Sequence, residues 1–76
     1  MPGLGCYKGQ DVVRAFRNAG WTIARQKGSH VIMEKPGQEA TLAIPVHKGR
    51  DVKRGTLRSL IKDAGMTIED FIKNLP

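Results

Sequence analysis

Trp21-Thr22-Ile23-Ala24-Arg25-Gln26-Lys27-Gly28-Ser29-His30-Val31-Ile32-Met33-Glu34-Lys35 decides the fold. Over residues 21–26 the apolar Trp21 and Ile23 alternate with smaller or polar groups, the period-2 pattern of a strand with one buried face. Lys27-Gly28-Ser29 reads as a tight turn, and His30 to Lys35 as the returning strand. Pro36-Gly37-Gln38-Glu39 marks a second turn. Ala40 to Val46 then reads as a third strand, with Leu42 and Ile44 on one side and Thr41 and Ala43 on the other. Pro45 has no backbone donor, so this strand belongs at a sheet edge or terminus.

Helical patterns flank this meander. From Gln10, Val12, Val13, Phe16 and Ala19 recur at three- and four-residue spacing, and Gly20 stands where a left-handed cap ends the helix. Residues 1–8 carry three structure breakers and read as a loose lead-in. His47 to Arg50 reads as a basic connector, with Asp51 as a helix cap. Leu57, Leu60, Ile61 and Ala64 then form a second amphipathic helix that ends at Gly65. Thr67-Ile68-Glu69-Asp70 has the spacing of a capping box opening a short third helix, with Ile68, Phe71, Ile72 and Leu75 as its apolar stripe. The expected fold class is α+β: helix, three antiparallel strands, helix, short helix, in one domain over residues 1–76.

Thirteen basic residues against 7 acidic ones give a net charge of +6, which points to a polyanionic or acidic partner. The charge is uneven: residues 1–58 sum to +7 and residues 59–76 to −1, so the polyanion-binding part lies before the last helix. Nothing approaches the length of a membrane span, and no signal peptide opens the chain. The single Cys6 cannot close an internal disulfide, and a reducing, cytoplasmic setting is expected. As a nucleophile Cys6 has no histidine near it in sequence; it reads as an early-loop or partly buried thiol.

Several chemistries fail on spacing. There is no paired-cysteine pattern, no His-x-x-x-His and no close carboxylate cluster, so neither a metal nor any other cofactor is expected. The glycines lack phosphate-loop spacing. Ser29 and His30 are neighbours at a strand start and point to opposite faces, which is unsuited to a hydrolase triad.

Lys27-Gly28-Ser29-His30 remains. A histidine at the first position of a strand, just past a tight turn, sits at a rim where a large substrate can reach it. Gly28 allows close approach of a phosphate, Lys27 adds charge, and Ser29 offers a hydroxyl and a backbone N–H. RNA cleavage needs a base for the 2′-hydroxyl, donors for the phosphorane oxygens and an acid for the leaving 5′-oxygen. Imidazole serves either proton-transfer role near neutrality. From the residues alone, a plain surface histidine beside a hairpin turn explains the same pattern.

Register brings in His47. If the second hairpin turns about Gly37 and Gln38, facing positions sum to about 75. His30 then faces Pro45 and Gly28 faces His47, so the two histidines become diagonal neighbours roughly 7–8 Å apart. His47 is then placed to bind or protonate the scissile phosphate; a solvated loop histidine is the competing reading. Lys48, Arg50, Lys53 and Arg54 follow closely and, with Lys27, would make a basic strip along the same rim. Phosphate contacts of this kind make binding strongly salt-dependent. A solvated helix entrance is the alternative for the strip.

From Gly9 onward the chain resembles the HicA-type toxins, the mRNA interferase half of a HicA–HicB toxin–antitoxin pair. The match runs through Gly9-Gln10-Asp11-Val12-Val13, Asn18-Ala19-Gly20-Trp21, Gly28-Ser29-His30, Pro45-Val46-His47 and Gly55-Thr56-Leu57-Arg58-Ser59-Leu60-Ile61-Lys62-Asp63-Ala64-Gly65, in that order. The resemblance implies a fold like the double-stranded RNA-binding domain. It implies metal-independent endoribonuclease activity on translated mRNA, with His30 at the catalytic position and no catalytic role assigned to His47. It further implies a HicB-like antitoxin over the active face, with the free toxin monomeric. The glycine-rich lead-in with Cys6 departs from the family pattern. Two other readings compete. One is a non-catalytic module that binds duplex RNA by shape. The other is a DNA-binding helix-turn-helix over residues 57–71, which Glu69 and Asp70 on its would-be reading helix disfavour.

Overall fold

The computed structural model describes residues 3–76. In chain order the elements are β1 (Tyr7–Lys8), α1 (Gly9–Asn18), β2 (Thr22–Lys27), β3 (His30–Glu34), β4 (Leu42–Pro45), β5 (Asp51–Val52), α2 (Arg54–Asp63) and α3 (Ile68–Lys73). The main sheet is antiparallel in the order β2-β3-β4, with helices packed on one face and a short helix closing the chain. This is the α+β arrangement expected.

The hairpin turn has the geometry its residues demand. Lys27 pairs with His30, leaving Gly28-Ser29 as a two-residue loop. Gly28 takes φ +60° and Ser29 a negative φ, the sign pattern of a type II′ turn with glycine first. Between β3 and β4 the partners are His30↔Pro45, Val31↔Ile44, Ile32↔Ala43 and Met33↔Leu42, so the register sums to 75 as expected. Val31, Met33, Leu42 and Ile44 are buried beneath the helices, and the alternate residues, His30 included, face the other way. The Val46 N–H donates to the Ser29 carbonyl at 2.7 Å, which carries the pairing one step past Pro45. Successive N–H groups point to opposite sides of a strand, so the donor that Pro45 lacks would have faced the free edge.

Helix α1 ends in a Schellman motif. Gly20, at φ +104°, donates to the Arg17 carbonyl at 3.0 Å, and Trp21 donates to the Phe16 carbonyl at 2.9 Å. The hydrophobic contact that accompanies this motif is the edge-on packing of Phe16 against Trp21, with ring centroids 6.5 Å apart. Helix α2 ends the same way through Gly65 and Met66. Lys35 donates from Nζ to the Ala19 carbonyl at 3.1 Å, placing a cation at the negative end of α1. The Thr67/Asp70 capping box opens α3 as expected. Phe16, Trp21, Met33, Leu42, Ile44, Leu57 and Phe71 lead the core cluster.

Three expectations change. Ile23 is 47% exposed rather than turned inward with Trp21. A register irregularity between Ile23 and Arg25 interrupts the alternation, and β2 is one of the two edge strands, exposed throughout. The lead-in pairs from Tyr7, where Tyr7↔Val52 and Lys8↔Asp51 form a small second sheet, and Leu4 is buried in the core cluster; Met1 and Pro2 lie outside the described residues. Asp51 therefore does not cap α2. Its backbone pairs with Lys8, and Lys53 occupies the N-cap position with no side-chain hydrogen bond, since an ammonium cannot accept one.

Gly9, the first residue of α1, is buried against the end of β4. A Cβ there would come within 2.5 Å of the Pro45 carbonyl oxygen and 2.8 Å of Val46 Cα, both backbone atoms. Gly9→Ala should therefore destabilise the fold by about 1–3 kcal/mol through overpacking, despite alanine's higher helix propensity. For a domain this small that lowers Tm by at least about 4 °C, read by thermal denaturation. An unchanged Tm would contradict this account of the contact.

Candidate active site

His30 opens β3 immediately after the type II′ turn, on the sheet face away from the helices, and is exposed. Together with Ala43 and Pro45, its neighbours on β4, it forms one wall of a cavity of about 460 Å³. His47 and Arg50 line it from the turn after β4. Asp51, Val52, Lys53 and Thr56 line it from β5 and the first turn of α2. The cavity thus wraps the free edge of β4. It draws residues from the hairpin, the basic connector and the start of a helix that are far apart in sequence.

The cations here outnumber the anion. Arg50 and Lys53 face it as cations, and Asp51 is the one carboxylate among its lining residues. Helix α2 has no acidic residue in its first turn, and it begins Lys53-Arg54. Cations at the positive end of a helix are disfavoured by the macrodipole, so this placement costs stability and strengthens the positive potential.

Of the residues singled out in the sequence, the structure brings His30, His47, Arg50 and Lys53 into one cavity. Lys48 lies just outside, in a neighbouring cleft of about 250 Å³ that it shares with His47, Lys8, Gly9 and Gln10. Lys27, Gly28 and Ser29 form the turn beside His30 but do not line the cavity, and Arg54 is exposed without reaching it. The expected basic strip is therefore split between the cavity wall and its surroundings.

Sequence reasoning missed Thr56 and Asp51 as cavity residues. Thr56 was legible only as part of an amphipathic helix. Its signal is the run Lys53-Arg54-Gly55-Thr56 itself, a helix start with no acid and no capping side chain. Among the described residues, no three histidine, cysteine or acidic side chains come together in a group suited to a metal ion. Cys6 is exposed. No helix is long and apolar enough to cross a membrane among those residues.

A family model described as the HicA toxin of bacterial toxin–antitoxin systems matches residues 9–66, most of the chain and all of the cavity lining. The chain belongs to the HicA toxin family. It is accordingly a toxin of a toxin–antitoxin system, and such a HicA toxin has an antitoxin partner. A search of curated proteins finds no match to the chain. The HicA match begins at Gly9, where α1 packs on Pro45 and Val46, and ends at Met66, the residue that completes the α2 cap.

Proposed function

We propose that this HicA-family toxin is an endoribonuclease that cleaves mRNA without a metal ion, with His30 as a catalytic proton-transfer group. The observation that carries this reading is the position of His30: exposed, on the open sheet face, in a cavity whose other lining residues include His47, Arg50 and Lys53. A phosphodiester entering such a cavity meets an imidazole that can move a proton near neutrality and cations that can stabilise the phosphorane oxygens. The 2′-oxygen loses its proton and attacks phosphorus, the bond to the 5′-oxygen breaks, and that oxygen gains a proton. The products are a 2′,3′-cyclic phosphate and a 5′-hydroxyl. Lys27, Gly28, Ser29, Lys48 and Arg54 hold flanking phosphates outside the cavity. Cleavage of messages in the cytoplasm arrests translation, and a HicB-like antitoxin neutralises the toxin.

Purified protein incubated with a single-stranded RNA and an excess of chelator tests this. Fragments with cyclic phosphate and 5′-hydroxyl ends are expected, at a rate that falls steeply with added salt. RNA that is bound tightly but left intact would instead mark a non-catalytic RNA-binding module.

A further inference from the structure

We propose that His47 is the second catalytic residue, acting with His30 as an acid–base pair across the cavity. This inference rests on the RNA-cleaving reading above. The reaction needs two proton transfers at two oxygens: one group takes the proton from the 2′-hydroxyl as the O–P bond forms, and another gives a proton to the 5′-oxygen as the P–O bond breaks. One imidazole starts neutral and the other protonated, and each ends in the other's state.

The lining residues leave one partner for His30. Arg50 and Lys53 bring N–H donors for the phosphorane oxygens and no acceptor for the 2′-hydroxyl proton. Asp51 brings carboxyl oxygens without an N–H donor, and the Thr56 hydroxyl offers a hydrogen bond rather than an acid–base group. His47 alone matches His30 in chemistry.

The backbone around His47 is also fixed in a way that a solvated loop histidine does not require. On its N-terminal side Pro45 pairs with His30, and the Val46 N–H donates to the Ser29 carbonyl at 2.7 Å. The residue before the second imidazole is thereby tied to the turn residue before the first. On its C-terminal side the Arg50 N–H donates to the His47 carbonyl at 3.0 Å, closing a tight turn. Gly9 presses on Pro45 and Val46 from behind. Three separate restraints converge on the chain at a histidine that is exposed to the cavity, and preorganisation of this kind is what proton transfer needs.

The test uses two RNA substrates, one ordinary and one with sulfur in place of the bridging 5′-oxygen, whose thiolate leaves without a proton. Single variants His30→Ala, His47→Ala and His47→Gln are compared with the native chain. On the ordinary RNA, His47→Ala and His47→Gln should both be slower by about 10²-fold or more, with unchanged thermal unfolding. On the sulfur substrate one of the two histidine positions should recover to near the native rate and the other should not, which divides the acid from the base. A near-native rate for His47→Gln, or failure of the sulfur substrate to rescue either position, overturns the pairing. So does rescue of both. Those results leave the RNA-cleaving reading intact provided His30→Ala is inactive. Failure of the native chain to cleave, or full activity in His30→Ala, overturns that reading instead.

Discussion

His30→Ala should abolish RNA cleavage and growth arrest while leaving the fold unchanged. The side chain is exposed on the sheet face opposite the helices, and its strand neighbours Val31 and Met33 supply the packing. Surface substitutions away from special features usually move stability by less than about 0.5 kcal/mol. Loss of a general acid or base, by contrast, lowers the rate by about 10²–10⁴-fold. The two effects therefore separate cleanly: circular dichroism and the thermal midpoint should match the native chain while the cleavage rate collapses. RNA binding should survive, because Arg50, Lys53 and the cations around the cavity remain. A variant that melts normally and still cuts RNA at the native rate would remove His30 from the mechanism.

Phe16→Ala should unfold the protein near physiological temperature. Phe16 is fully buried, and its ring lies 6.5 Å from Trp21 and 5.4 Å from Phe71, centroid to centroid. It therefore joins α1 to the entry of β2 and to α3 at one point. Truncating such a residue costs about 3–5 kcal/mol, because the cavity left behind collapses only partly. A domain of 76 residues has little more than that to lose. Chemical denaturation should give a midpoint near zero denaturant, and growth arrest should disappear through lost protein rather than lost chemistry. Stability within about 1 kcal/mol of native would show that the aromatic cluster repacks around the gap. The His30 and Phe16 variants thus reach the same phenotype by opposite routes, and the melting curve tells them apart.

Much of this architecture was legible in the sequence because it rests on local rules. Gly20 and Gly65 mark the two helix ends. Thr67 and Asp70 announce the capping box, and a turn centred on Gly37 and Gln38 gives the register that puts His30 opposite Pro45. What escaped notice depends on long-range partners. Tyr7-Lys8 and Asp51-Val52 are each too short to show periodicity, and each is a strand only because the other is present. Asp51 reads as a cap for that reason, since nothing near it in sequence reveals that its backbone is committed to Lys8. Ile23 looked like a core residue because alternation cannot reveal the irregularity before Arg25. Thr56 was hidden because helical periodicity says which residues face inward and not what the first turn faces outward. Of the candidate site, His30, His47, Arg50 and Lys53 could be nominated by residue type, but only the wrapping of chain around the β4 edge gathers them.

The pairing of Tyr7-Lys8 with Asp51-Val52 also bears on when the molecule becomes whole. The two hairpins of the main sheet join segments close in sequence and can form as they are synthesised. The second sheet must instead bring together residues separated by most of the chain, and the entropy of closing so long a loop has to be met before its few contacts repay it. Since β5 and the start of α2 supply the far wall of the cavity, that wall cannot be in place until this closure has happened. A chain still growing on the ribosome that has not yet released Thr56 carries its first histidine on a half-built site.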